Sequence, residues 1–147
     1  MVEPWFSAMS PPGVSVHASR MFLDNALTPE SIIRMDQDEG MRAEHAFFAA
    51  AGLEVLSSAR LGIKDAFKLA APTLRDIHEL ALRAWKPGAE ALLITCLNLW
   101  SQGVVERLET EFGVPVVTST QATFWRLLRI AGIDDRIPQY GRLLAEH

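Results

Sequence analysis

The sequence predicts an α/β fold in which a parallel sheet is covered by helices on both faces. Strand-like and helix-like segments alternate from residue 53 onward, which is typical of parallel strands joined by helical crossovers. The strand-like segments are continuously apolar, as expected of strands that are buried on both faces. The chain has 147 residues, 49% of them hydrophobic. It can therefore form one domain with a substantial core.

The N-terminal third is predicted to contain one strand and one long helix. Residues 14–20 alternate between apolar and polar side chains, which suits a strand with one buried face. Thr28 and Pro29 then form a helix start, with a hydroxyl cap followed by proline in the first turn. Apolar residues at helical spacing predict a helix of about 22 residues that ends at Gly52. Gly40 lies inside it and is expected to interrupt it, because an interior glycine costs about 1 kcal/mol.

Glycine and proline mark the ends of the later elements. Gly113 and Gly132 each follow a predicted helix, and glycine commonly ends a helix. Lys86, Pro87 and Gly88 end an earlier helix in the same way. The predicted strands are residues 53–56, 91–95 and 114–117, and the predicted helices are residues 72–85, 101–112 and 121–131.

The composition argues against several classes of protein. The 18 Asp and Glu residues outnumber the 14 Lys and Arg residues, which form no basic cluster, so nucleic acid is not expected as a partner. No apolar run reaches the length of about 20 residues that a membrane helix needs. The first residues lack the basic region of a signal peptide, so a cytoplasmic location is expected. Cys96 is the only cysteine, which excludes an intrachain disulfide and a thiolate metal cage.

Two polar segments directly follow predicted strands, at the sheet edge where ligands of α/β proteins bind. Residues 95–99 follow the most apolar strand, and residues 117–121 follow the next one. Their hydroxyl and amide groups, with the start of a helix, favour binding of an anion. Cys96 lies in the first segment, where an exposed thiol can transfer a proton or attack an electrophile. The alternative is a small buried hydrophobic residue at a strand end, since free cysteine is often buried.

The remaining chemically interesting residues are predicted to be structural. The four histidines are scattered without metal-ligand spacing and are expected at surface or cap positions, and no metal site is expected. Trp100 and Trp125 are expected to pack in the core. Asp134 and Asp135 are expected in a solvated loop, and residues 36–39 on a solvated face. The sequence contains no glycine-rich phosphate loop and no Ser-His-Asp order.

Segments around and after Cys96 form a combination of motifs that is specific to one superfamily. They are ALLITCLNL at residues 91–99, VVERLE at 104–109, GVPVVTS at 113–119, QATFW at 121–125 and PQYGRLL at 138–144. This combination resembles the C-terminal lobe of the aspartate/glutamate racemase superfamily. The most similar branch contains maleate cis-trans isomerase, arylmalonate decarboxylase and the ectoine-utilisation proteins. Residues 13–21 and 28–30 resemble a stretch near the start of the N-terminal lobe in that branch.

The resemblance implies a mechanism that needs no cofactor. Members of the superfamily have two similar α/β lobes and hold a carboxylate substrate between them. Cys96 matches the C-terminal-lobe cysteine that moves a proton at, or attacks, the carbon next to a carboxylate. The positions around it whose amides and hydroxyls would hold a carboxylate are matched by Thr95, Leu97, Asn98, Thr118 and Ser119. The implied activity is isomerisation, racemisation or decarboxylation of a small carboxylic or dicarboxylic acid.

The chain departs from the family pattern in the N-terminal lobe. Residues 1–45 resemble a remnant of that lobe and residues 46–147 the C-terminal lobe, so the chain looks internally deleted. The family's N-lobe cysteine, or its glycine replacement, and a pocket tyrosine are absent, and Tyr140 does not match that tyrosine. An active enzyme would need a second copy of the chain to complete its pocket, as a homodimer. The alternatives are a non-catalytic truncated remnant, a carboxylate-binding lobe without turnover, and a purely structural α/β module.

Overall fold

The computed structural model describes residues 8–13, 38–63 and 65–147. The predicted strand at residues 14–20 and the first part of the predicted long helix lie outside these ranges. Among the described helices, none is both long and apolar enough to cross a membrane. In chain order the elements are α1 (Asp38–Ala50), α2 (Leu74–Ala84), β1 (Leu92–Ile94), α3 (Val105–Phe112), β2 (Val116–Thr118), α4 (Ser119–Ile130) and α5 (Arg142–Glu146).

The two strands pair in parallel, and α3 makes the crossover between them. Parallel neighbours require such a crossover, because a tight turn can join only antiparallel strands. The register places Leu92 opposite Val116, Leu93 opposite Val117 and Ile94 opposite Thr118. The α/β class and the parallel sheet predicted from the sequence are therefore confirmed.

The main core lies where α2 and α3 pack against the strands. Leu93 points to the opposite face from its neighbours in β1, as alternation along a strand requires, and is 44% exposed. A second, smaller cluster joins α4 and α5 to the N-terminal segment through Met9, Phe124, Leu128 and Leu144. The buried residues of the main core are Ile77, Ala81, Ile94, Leu99, Val104, Val105, Leu108 and Val116.

Local side-chain chemistry sets the ends of the helices that frame the sheet. Thr73 caps α2 through a reciprocal pair of hydrogen bonds with Asp76, in which each side chain accepts from the other residue's backbone N–H. The Thr73 hydroxyl, which donates to Oδ2 of Asp76 at 2.6 Å, and the Thr73 backbone N–H together hold the pKa of Asp76 below its usual range. Gly113 ends α3 with φ of +73°, a left-handed conformation that glycine adopts without strain. The predicted helices at residues 72–85 and 101–112 are confirmed, and a 3₁₀ turn at Gln102–Val104 opens the second.

Two local predictions are wrong. Residues 53–56 form no strand, and Leu53 is 59% exposed. Strand pairing in the described ranges joins β1 and β2 alone, so this short apolar run has no neighbour with which to form a ladder. Gly40 does not interrupt the helix but lies within α1. That helix includes residues 45 and 46, and the lobe boundary placed between them stays a prediction.

Glu109 connects three parts of the fold. Its Oε1 accepts a hydrogen bond from the backbone N–H of Val116 at the start of β2, at 3.1 Å. Both carboxylate oxygens also accept from the backbone N–H of Arg142 at the start of α5, at 3.1 Å each. The carboxylate therefore neutralises the positive end of α5 while it holds α3 against β2.

A second carboxylate links α2 to α3. Nε2 of His78, which is buried on α2, lies 2.7 Å from Oε2 of Glu111. Nε of Arg107 donates to Oε1 of the same carboxylate at 2.7 Å. These two partners, Arg107 first, hold the pKa of Glu111 below its usual range. His78 was expected at a surface or cap position, and that prediction is wrong, because the neighbouring helix supplies a partner that makes its burial possible.

Replacing Glu109 by alanine is expected to lower the free energy of unfolding by about 1–3 kcal/mol, because the partly buried N–H of Val116 and the exposed N–H of Arg142 both lose their acceptor. Urea denaturation followed by circular dichroism measures this change. Glu106→Ala is the control, since Glu106 is an exposed glutamate on the same helix. An effect of equal size in both variants would contradict the role given to Glu109.

Glu111 is expected to make stability depend on acid pH. Its pKa is lower in the folded protein than in the unfolded chain, so its contribution is complete above about pH 4.3, the ordinary value for a glutamate. The contribution disappears as the pH falls through the folded-state pKa. The stability difference between the wild type and Glu111→Gln is therefore expected to shrink between pH 6 and pH 3 in urea titrations. A difference that stays constant over this range would contradict the argument.

Candidate active site

The parallel register brings the two polar segments to one edge of the sheet. Ile94 and Thr118 are opposite each other at the carboxyl ends of β1 and β2. Neighbouring strands lie about 4.8 Å apart, so Thr95 and Ser119, the next residues, leave the sheet side by side. Cys96 follows Thr95 directly. The spatial convergence that the sequence only implied is therefore present in the fold.

Cys96 is exposed and has an unusual backbone conformation. Its thiol forms no disulfide, and its φ is +82°. A left-handed conformation is uncommon for residues with a Cβ atom and costs about 1–3 kcal/mol. The following turn is held by two backbone hydrogen bonds, from Leu99 N to Cys96 O at 3.1 Å and from Ser101 N to Leu99 O at 2.9 Å. The alternative of a buried structural cysteine is wrong, because this turn lifts Cys96 out of the strand into solvent.

The neighbours of Cys96 on its own turn are open to solvent to different degrees. Thr95 is half-buried, Asn98 is exposed and Leu97 is 40% exposed. The Asn98 amide and the Thr95 hydroxyl are thus polar groups that a ligand at this edge could approach. Leu97 offers its backbone N–H as a donor and leaves an apolar side chain at the surface.

Thr118 and Ser119 form the start of α4. Thr118 is fully buried, and its Oγ1 accepts from Gln121 N at 3.1 Å, while Thr118 N donates to Gln121 Oε1 at 3.0 Å. In this capping box the Thr118 hydroxyl acts as an acceptor and its hydrogen is not used. Ser119 is half-buried and is the first residue of a 12-residue helix whose positive end faces the sheet edge.

Two further polar residues, one after the first segment and one inside the second, were not selected as site residues from the sequence. Gln102 is 4% exposed, and both of its amide atoms lack a hydrogen-bond partner. Thr120 is fully buried, and its hydroxyl also lacks one. Thr120 lies in a segment that the sequence had indicated. No local signal identified Gln102, because its burial depends on α2 and α3 packing around the turn.

The structure also places several other residues that the sequence had singled out. Within the described residues, no group of three His, Cys, Asp or Glu side chains could hold a metal ion. Trp100 was predicted to be in the core but is 50% exposed, because it belongs to the surface turn after Cys96. Trp125 packs partly buried against the second cluster, with the guanidinium of Arg129 at 5.8 Å from its ring centre. Asp134 and Asp135 are exposed, as expected of a solvated loop.

Comparison with known proteins identifies relatives of this arrangement. A family model described as arylmalonate decarboxylase matches residues 36–144. Arylmalonate decarboxylase of Bordetella bronchiseptica is 33% identical over 104 residues, which cover 69% of this chain and 43% of that protein. Maleate isomerase of Alcaligenes faecalis is 24% identical over 100 residues, which cover 67% of this chain and 40% of that protein.

A solved structure agrees with these similarities. A crystal structure of arylmalonate decarboxylase superposes with a TM-score of 0.70 at 31% identity, covering 76% of this chain and 50% of that one. The chain spans less than half the length of the curated relatives that it matches. The family match extends over most of the described sequence, including both strands and the Cys96 turn. This chain therefore belongs to the arylmalonate decarboxylase family, within the aspartate/glutamate racemase-like superfamily.

Proposed function

We propose that this chain supplies the cysteine-bearing part of an active site that acts on the carbon next to a carboxylate of a small dicarboxylic acid. The parallel register of β1 and β2 carries the proposal, because it brings the exposed Cys96 turn and the start of α4 to one sheet edge. The substrate class is supported by the names of the relatives, since arylmalonates and maleate are both dicarboxylates.

Cys96 would act as the proton donor in a decarboxylation. The bond between the α-carbon and one carboxylate breaks, carbon dioxide leaves, and the electron pair remains on the α-carbon as an enediolate. The Cys96 thiol gives its proton to that carbon, and the thiolate then takes a proton from water. In an isomerisation, the Cys96 thiolate would instead add to one alkene carbon, the carbon–carbon bond would rotate, and the thiolate would leave.

The carboxylate that remains on the substrate needs hydrogen-bond donors near Cys96. The start of α4 offers a positive helix end and the Ser119 hydroxyl. The turn after β1 offers the Thr95 hydroxyl, the Leu97 backbone N–H and the Asn98 amide, and Thr118 has its hydroxyl hydrogen. Donors of this kind stabilise the negative charge that builds up on the carboxylate oxygens during the reaction.

The length of the relatives favours a site with two contributing parts. The chain covers 43% and 40% of the two curated relatives, which fits an internally deleted form with a remnant N-terminal lobe. A second copy of the chain would then complete the pocket, facing the surface that carries Leu93, Leu97 and Trp100. The second candidate function is a carboxylate-binding lobe without turnover. The small share of the relatives' length that this chain covers favours it if no second copy completes the site.

Replacing Cys96 separates the chemical role of the thiol from the strain of its backbone. Cys96→Ser and Cys96→Gly are both expected to abolish conversion of phenylmalonate to phenylacetate and of maleate to fumarate, followed by proton NMR. Cys96→Gly is also expected to raise the free energy of unfolding by about 1 kcal/mol, because glycine adopts a φ of +82° without a Cβ clash.

Alkylation distinguishes the two candidate functions. Because Cys96 is the only cysteine, iodoacetamide labelling reports on this site alone. Turnover by the wild type that Cys96→Ser removes supports the enzyme. Protection of Cys96 by maleate or phenylmalonate without turnover supports the carboxylate-binding lobe. Turnover at the wild-type rate in Cys96→Ser would contradict any catalytic role for the thiol.

The proposed completion of the pocket requires a dimer in solution. Leu93→Asp is expected to convert the dimer to a monomer, because it places a charge on the partly exposed face of the sheet. Leu82→Asp is the matched control, since Leu82 is a similarly exposed leucine on α2, at 49% against 44%. Size-exclusion chromatography with light scattering measures the change. A wild-type monomer, or a dimer that survives Leu93→Asp, would contradict this arrangement.

A further inference from the structure

Two buried glutamines of this fold differ in how their amides are satisfied. Gln121 is fully buried, its Oε1 accepts from Thr118 N at 3.0 Å, and its Nε2 donates to the carbonyl of Tyr140. Gln102 is buried to nearly the same extent, but neither its oxygen nor its nitrogen has a partner. The hydrogen bonds of the fold therefore account for the burial of the Gln121 amide but not for the burial of the Gln102 amide.

Two buried threonines show the same contrast. The hydroxyl of Thr118 accepts from Gln121 N at 3.1 Å and closes the capping box of α4. The hydroxyl of Thr120, two residues later and also fully buried, has no partner. In each pair, one residue uses its polar group in a hydrogen bond within the fold, and the other, Gln102 or Thr120, has a buried polar group without a partner.

The two unsatisfied residues lie at the starts of two helices that each have a side chain next to Gly141. Gln102 opens the 3₁₀ turn that leads into Val105 and α3, and Thr120 precedes Gln121 in the first turn of α4. Gly141 touches both starts, because a Cβ atom there would collide with Cγ1 of Val105 and lie 3.3 Å from Nε2 of Gln121. Both residues also follow the strand ends on which Cys96 and Ser119 lie.

Buried polar groups without partners are rare in native proteins, since each one loses its hydrogen bonds to water on folding. An apolar side chain of the same shape at either position would make the folded protein more stable. We propose that Gln102 and Thr120 are substrate-positioning residues, whose amide and hydroxyl bind a carboxyl group of the dicarboxylic acid. This inference rests on the proposed function and adds two recognition groups to it.

The chemistry of the two side chains matches a carboxyl group. The amide nitrogen of Gln102 and the hydroxyl of Thr120 are donors for carboxylate oxygens. The amide oxygen of Gln102 accepts from a protonated carboxyl or from a water molecule that accompanies the ligand. Both residues are neutral, so they can remain buried without a ligand at a smaller free-energy cost than a charged side chain would incur.

Gln102→Met tests the proposal, because methionine keeps an unbranched shape and removes both polar atoms. The ligand-free variant is expected to melt at least about 2 °C above the wild type, since a desolvated amide has been removed. Its dissociation constant for maleate or phenylmalonate, measured by calorimetry, is expected to rise about tenfold. Thr120→Val is the second variant, and it is also expected to raise both the melting temperature and the dissociation constant.

Gln121→Met is the matched control and is expected to lower the melting temperature, because it breaks satisfied hydrogen bonds. A higher melting temperature of Gln102→Met together with a loss of affinity of about threefold or more supports the proposal. A lower melting temperature of Gln102→Met, or a smaller loss of its affinity, overturns the proposal. An unchanged affinity means that the Gln102 amide binds water and not the acid. If the wild type binds neither acid, the proposed function itself fails. The results that overturn only the role of Gln102 leave the proposed function standing.

Discussion

The parallel pairing of β1 with β2 is the constraint on which the rest of this structure depends. Each strand has only three residues, and two such strands are not stable alone. They are held together by α3, which must cross over between them, and by Glu109, which joins that helix to the start of β2 and to α5. Because parallel strands end at the same edge, this arrangement also decides which residues can form a site.

The edge combines satisfied and unsatisfied groups in a way that is typical of functional sites. The capping box between Thr118 and Gln121 and the hydrogen bonds of the Cys96 turn make the supporting backbone rigid. Against this support, Cys96 has a strained φ, and Gln102 and Thr120 have buried polar groups without partners. Strain and unsatisfied groups lower stability, and they persist where the surrounding structure holds them in place. Cys96, Gln102 and Thr120 all follow the two strand ends, while a further unsatisfied atom, Nε1 of Trp125, lies later on α4. The proposed ligand site is based on the first three residues.

Several large apolar side chains of the described residues are exposed. No described side chain of α1 is fully buried, and Phe47 on this helix is 70% exposed. An isolated helix of 13 residues is only marginally stable in water. Leu93, Leu97 and Trp100 are also exposed beside the site. In a chain that covers less than half of its curated relatives, such apolar surface supports the proposal that a second copy completes the site.

The sequence by itself determined the α/β class, the order of the elements from Thr73 onward, the helix ends at Thr73 and Gly113, and the position of Cys96 after an apolar strand. These features depend on neighbours within about four residues, through hydrophobic periodicity, capping and glycine conformation. Only the tertiary structure decided that residues 53–56 form no strand, that His78 is buried against Glu111, and that Cys96 is exposed with a left-handed backbone. It alone also revealed that Gln102 and Thr120 are buried without partners. Burial and hydrogen-bond satisfaction depend on residues that are distant in sequence and adjacent in space, and no local pattern specifies those contacts.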